Sequence, residues 1–407
     1  MVSILIKTGE VSMSHSLIKV KSDQVEEVVQ IRRHLHQHPE LSFQEFKTAE
    51  YIKSILQNWG IPYQSIGETG VIVDIVGTEE GRAIGLRADI DALPIHEQTD
   101  LPYRSHYDHV MHACGHDGHT AILLGAVYEL NKIKDQLPGT VRCIFQPGEE
   151  ADGAAKALIE QGALSNPEIE AMAGLHLWPH LPFGTVGIKY GGMTASCDDF
   201  KITITGKGGH SARPHQAIDA IAIAASMIQA FQSLTVKRFN PGEPVIIHIG
   251  KINGGEAGNI VASTVVLEGT ARAVNNSLRG EIYQEILKVC RAAEVQWGAQ
   301  VEVDYTLGHP PIVNDEQMTN QFEEMASRLL GAERVISLKE PSMGADDFGY
   351  FSAKVPSIYF RLGIQKENQP VYDLHHPKFQ FDDSILRTGI ELYVNFALSL
   401  LQDRREQ

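Results

Sequence analysis

At 407 residues the chain is too long for one compact core, and its length predicts two domains. A content of 43% hydrophobic and 21% charged residues excludes a disordered or fibrous chain, and a formal net charge of −16 argues against a nucleic-acid or anionic-membrane partner, either of which calls for a basic patch. Four cysteines are too few for a disulfide framework, and no run approaches the ~20 apolar residues of a membrane span.

The opening MVSILIKTGE breaks its apolar run at Lys7, too early for a secretory leader, and Met13 is a second candidate start. A cytoplasmic location is the expectation. Residues 24–36 carry Val25, Val28, Val29 and Leu35 at helical spacing, and a turn leads to a second helix that Gly60 closes. Short β-rich runs follow at 70–77 and 83–95, then a helix at 120–133, a strand at 140–146 ending in PGEE, and a buried strand at 171–179. Such alternation predicts an α/β layer, a mixed and largely parallel sheet flanked by helices, with its site beyond the carboxyl ends of strands.

From about Thr194 the pattern changes. Strand 199–205, helix 217–234, strands 244–252 and 261–273, helix 278–297 and strand 300–305 form a ferredoxin-like βαββαβ unit. It reads as an inserted domain, 194–307, between two parts of the first domain, 1–193 and 308–407. The later runs SMGADDFGYF, VPSIYFRLG and the helix at 383–401 return to that first domain.

The chemistry concentrates in MHACGHDGHTA, where Cys114 stands among His112, His116 and His119. In a reducing compartment such a cluster reads as metal binding or catalysis, whereas Cys143 and Cys290 sit in apolar runs and read as core. Gly115 and Gly118 allow a loop to turn several ligands toward one point. A catalytic site needs distant partners as well, and Glu149, Glu150, His176 and either His375 or His376 offer them from other loops. Spacing does not say which glutamate does what. Asp89 and Asp91 are read as orienting a ligating histidine, His112 and His119 as supporting or capping residues, and Asp346 and Asp347 as a helix N-cap.

HACGHDGHTA, FQPGEE, HLWP, GKGGHSARPH and MGADDFGYF, in that order, resemble the metal-dependent aminoacylase/carboxypeptidase family. Within it the match is to the hippurate hydrolases, N-acyl-amino-acid amidohydrolases and indole-acetyl-amino-acid hydrolases, from RRHLHQHPELSFQE to YDLHHPKFQFDD. The resemblance implies two divalent metals per subunit, Mn²⁺ or Zn²⁺ with Co²⁺ or Ni²⁺ as substitutes, held by Cys114, His116, Glu150, His176 and His375. It implies Glu149 as general base and then acid, and His210 reaching a neighbouring subunit's site to steady an oxyanion. Asn259 and Arg272 match substrate-binding positions, and an arginine fork suits a carboxylate. The inserted unit would mediate a homodimer or a higher homo-oligomer and close as a lid. The implied partner is a small N-acyl amino acid or a short peptide, with no nucleic acid and no membrane. The implied reaction is amide hydrolysis of an N-acyl amino acid, with a carboxypeptidase or dipeptidase on the same scaffold as the alternative.

Overall fold

The computed structural model describes residues 17–79, 81–151 and 153–402. The opening MVSILIKTGE and Met13 lie outside the described residues.

Helices α1 (Ser22–Gln37) and α2 (Phe46–Asn58) come first, and Gly60 at φ +68° ends α2. Strands β1 (Gln64–Ile66), β2 (Gly70–Val76) and β3 (Arg82–Asp89) precede α3 (His116–Lys132), β4 (Gly139–Gln146), α4 (Ala154–Glu160), β5 (Ile169–Pro182), β6 (Val186–Ile188) and β7 (Gly191–Gly192). A second group follows: β8 (Cys197–Thr205), β9 (Gly209–His210), α5 (Ala220–Lys237), β10 (Val245–Gly254), β11 (Ile260–Val261), β12 (Thr264–Ala273), α6 (Asn276–Trp297) and β13 (Gln300–His309). The chain then adds β14 (Val313–Asn314), α7 (Glu316–Leu330), β15 (Val335–Ser337), α8 (Gly349–Ser352), β16 (Ser357–Gln365) and α9 (Ile385–Gln402).

The large sheet is mixed, in the order β1-β2-β4-β3-β5-β16-β6-β15, and its central strands β4, β3, β5 and β16 are parallel. Parallel central strands covered on both faces explain the continuous apolar runs IGL and YF. Helix α3 is buried along nearly its whole length because it sits between the sheet and the helices α1 and α9. Two glycines set that close approach. A Cβ on Gly125 would stand 2.4 Å from Ile390 Cδ1, and one on Gly389 would stand 2.5 Å from Ile122 Cδ1. The packing fixes the helix whose first residue is His116.

The small sheet is antiparallel in the order β10-β12-β8-β13, the ferredoxin-like arrangement, with α5 and α6 sharing its separate core. The expected strand 261–273 divides: Ile260 and Val261 pair with Gly209 and His210, and the main ladder starts only at Thr264. The carbonyls of Ala262 and Ser263 instead accept from Ala220 and Gly206, which pulls the chain out of the ladder. Helix α5 is long and apolar enough by length and composition to cross a membrane, a feature the search for unbroken apolar runs passes over. It packs Ile223, Ala224, Met227 and Phe231 onto the small sheet.

Candidate metal centre and catalytic cleft

Strands β3, β4 and β5 run parallel, so their ends deliver the following side chains to one edge of the sheet. Cys114 and His116 flank Gly115, whose φ of +90° lies in the left-handed region that glycine takes without strain. That turn brings Cys114 Sγ beside the imidazole at the start of α3. His375 arrives from near the other end of the chain. It holds a φ of +64°, costly for a non-glycine residue, and its N–H donates to Ala113 O at 2.9 Å, tying it to the loop that carries Cys114. His376 turns aside to stack on Tyr372 at 4.8 Å, which separates the two tandem histidines.

Donor atoms of Cys114, His116 and His176 fall within 4.8 Å of one another, as do those of Cys114, Glu150 and His375, and of His116, Glu149 and Glu150. Cys114 Sγ lies 3.4 Å from His176 Nε2, and His375 Nε2 lies 3.2 Å from Glu150 Oε1. His116 Nε2 is 3.8 Å from Glu150 Oε1 and 3.9 Å from Glu149 Oε2.

Hydrogen bonds decide which nitrogens are free. His116 Nδ1 faces both the carbonyl of Asp91 (3.0 Å) and its Oδ1 (3.1 Å), and His176 Nδ1 faces Leu177 O (2.7 Å). Both rings therefore present Nε2 to the cleft, and the buried His116 Nε2 has no hydrogen-bond partner. His119 is different. Its Nδ1–H donates to Asp89 Oδ1 at 2.6 Å and its Nε2 accepts the Leu177 N–H at 2.9 Å, so neither nitrogen remains for an ion. Burial holds the neighbouring His112 down to about 4, a neutral ring packed beneath the loop.

One cation anchors the acids behind these donors. Arg87 pairs with Asp89 (2.7 Å), Asp347 (2.9 Å) and Asp346 (3.3 Å), all buried. The N-cap expectation for the acidic pair is corrected here, because Phe348 stands at the N-cap of α8 and no side chain caps that helix. Asp346 accepts from Phe348 N–H at 2.8 Å, but Asp347 is drawn to Arg87 and its Oδ2 accepts from Ala155, at the start of α4 rather than its own helix. Burial, with Asp346 and Glu150 nearby, raises the Glu149 carboxyl well above the ordinary range. Burial and the carboxylates of Glu150, Glu149 and Asp89 likewise raise the Cys114 thiol. Burial lowers His116, but Asp89, Asp91 and Glu150 outweigh it and push that imidazole up to about 10. Thiol, imidazole and carboxylate donors crowded around the unpartnered His116 Nε2 fit divalent cations, which would take up these donor atoms and relieve the clustered negative charge.

The cleft encloses about 490 Å³. Besides Cys114, Glu149, Glu150, His176 and His375 it is lined by Arg272 of β12, whose Nη1 donates to Met343 O at 3.0 Å. Asn259 and His210 stand together elsewhere, exposed on the two-stranded ribbon of β9 and β11, where Ser211 N–H donates to Asn259 O at 3.1 Å. His210 Nδ1 accepts from Ala212 N–H at 3.1 Å, leaving Nε2 outward. Neither residue lines the cleft of its own chain. Sequence reasoning misses Arg87 and Arg361. The available signal is an arginine inside each of two otherwise apolar strands, IGLRAD and YFRLG.

A cleft of this donor set beyond the ends of parallel strands defines a metal-dependent hydrolase. Residues 85–399 match the model of peptidase family M20/M25/M40, and the chain belongs to that family. It is 41% identical to N-acetyl-L-cysteine deacetylase of Bacillus subtilis over 93% of this chain and 89% of that one. It is 35% identical to thermostable carboxypeptidase 1 of Saccharolobus solfataricus over 91% and 95%. The crystal structure of a dinuclear metal binding peptidase of the M20 family from Bacillus subtilis superposes with a TM-score of 0.82 at 34% identity, covering 94% of this chain and 99% of that one. The protein is thus a metal-dependent amidohydrolase.

Proposed function

We propose that the protein removes the acyl group from an N-acyl amino acid, releasing a carboxylic acid and a free amino acid. The observation that carries this reading is the convergence of Cys114, His116, Glu150, His176 and His375 on one cleft that also holds Glu149 and Arg272. Those five residues would hold two ions, Mn²⁺ or Zn²⁺. When bound, the ions would supply a water of lowered pKa and a polarised scissile carbonyl.

Glu149 is positioned to take the proton of the attacking water and hand it to the leaving amine. A carboxylate can serve both halves of that task. Asp91 and the Leu177 carbonyl hold the histidine rings in register. Arg272 presents donors to the substrate carboxylate. His210 and Asn259 serve the neighbouring subunit's cleft, which accounts for their distance from their own. Residues 194–307 would be the dimerising and closing unit. Edge strand β10 and the exposed Ile252 (54%), Ile221 (46%) and Ile260 (45%) support that role. The four free cysteines support a cytoplasmic setting.

A carboxypeptidase is the second reading, favoured by the archaeal relative. Dialysed protein supplied with Mn²⁺, Zn²⁺ or Co²⁺ and offered hippurate, N-acetyl-methionine, an indole-acetyl amino acid and two dipeptides distinguishes them by release of free amino acid. Metal-dependent cleavage of the acyl amino acids is expected. Cleavage of the dipeptides alone would favour the carboxypeptidase, and inertness toward every substrate would overturn both.

A further inference from the structure

Arg361 lies in register beside His176, on the strand parallel to β5, and lines the cleft wall. It is only 7% exposed, yet among the described residues its side chain makes no ion pair or hydrogen bond, and its Nε is buried without a partner. Every other buried arginine among the described residues is matched: Arg32 by Asp117 and Asp383, Arg87 by three aspartates, Arg142 by Asp74 and Arg279 by Asp198. Arg361 instead lays its guanidinium over the Trp178 ring, 3.5 Å from the centroid. Stacking occupies the faces of the guanidinium and leaves its in-plane N–H donors unspent. A buried cation with unmet donors is costly, and an anion arriving in the cleft recovers that cost.

We propose that Arg361 is a specificity-determining residue that binds a second carboxylate on the substrate, so that the preferred substrates are dicarboxylic N-acyl amino acids. This rests on the deacylase reading above. Arg272 of the small sheet takes the α-carboxylate, and Arg361 of the large sheet takes the other. The second carboxylate can reside on the acyl group, as in a succinyl amide, or on the amino-acid side chain, as in an acylated glutamate. The chemistry read by the fork is the same.

Two near-isosteric pairs separate the sources: N-acetyl-glutamate against N-acetyl-glutamine, and N-succinyl-methionine against N-butanoyl-methionine. With the metal-loaded full chain, the acidic member of at least one pair is expected to have a kcat/KM about tenfold to a hundredfold higher, the range of a charge-assisted hydrogen-bonded pair. Which pair responds names the side. Arg361→Met should bring that ratio close to one, and Arg361→Lys, which keeps charge but loses the fork, should leave it between. Ratios near one in both pairs for the wild type, with neutral members cleaved, would overturn this inference and leave the deacylase reading standing. If no amide is cleaved, that reading fails. Calorimetric titration of the full chain with glutarate against butyrate then still tests Arg361: tighter glutarate binding lost in Arg361→Met supports it, and equal binding overturns it.

Discussion

Asp91→Asn isolates what holds His116 in place. The carboxylate receives three donors: His116 Nδ1 at 3.1 Å, Ser42 Oγ at 2.7 Å and the Glu150 backbone N–H at 2.9 Å. It therefore couples two of the candidate ligands, one through its ring and the other through its main chain. Loss of such an orienting carboxylate typically weakens metal binding ~10- to 100-fold. The lower end applies here, because His116 Nδ1 also faces the Asp91 carbonyl at 3.0 Å, a partner that the substitution leaves intact. The amide oxygen of the replacement side chain would still accept one donor and the Ser42 hydroxyl can reverse its role, so one charge-assisted bond is lost outright. About tenfold weaker binding, ~1.4 kcal/mol, is expected. Competition of the variant and the wild type against a chelating dye, at matched Zn²⁺, reads that difference directly. A change under threefold would refute the orienting role. A loss beyond a thousandfold would refute it from the other side, since Asp91 would then be a ligand itself.

Cys114→Ala should bind fewer ions per chain than the wild type; an unchanged stoichiometry by elemental analysis would remove the thiol from the ligand set. His36, buried, is pulled down by burial but raised above its usual 6.5 by Asp117 and Glu97, with Arg32 opposing. A raised folded pKa gives stability that is fully present below 6.5 and is lost as the pH climbs through the folded value, so His36→Gln should destabilise more at pH 6 than at pH 9. Equal denaturation shifts at both pH values would contradict this. Mixing inactive His210→Ala and Glu149→Ala chains should restore ~25% of wild-type turnover, because half the random dimers are mixed and each has one intact site. No recovery after verified subunit exchange would count against a site shared between subunits.

Much of this architecture is legible in the sequence because it depends on local patterns. The βαββαβ unit shows in the change from period-two to helical spacing, and the donor cluster shows because Cys114, His116 and Gly115 are adjacent. What escapes depends on three-dimensional partners. His375 and His376 are equivalent as text and are separated only when one meets Glu150 and the other Tyr372. Strand β11 reads as the start of a longer strand, because the departure at Ala262 is set by a backbone bond to α5. Asp347 reads as a cap for the helix after it and proves to accept from α4, a choice made by Arg87 from a different strand. Helix α7 does carry a signal in Met318, Phe322, Met325 and Leu329, which reading that stretch only as a return to the first domain overlooks.

The cleft is also polarised in a way that neither wall explains alone. On one side Arg87 pairs with Asp89, Asp346 and Asp347, and burial together with neighbouring carboxylates raises Glu149 and the Cys114 thiol. On the other side Arg361 keeps its charge against an indole with no acid to match it, and burial lowers it to about 10, still cationic at neutral pH. The first wall calls for cations and the second for an anion. A substrate that offers a neutral amide to the acidic side and carboxylates to Arg272 and Arg361 would have one orientation in which every charge is met. Turned end for end, it would set carboxylate against carboxylate. The same separation of charge would thus bind the substrate and choose which carbonyl faces Glu149.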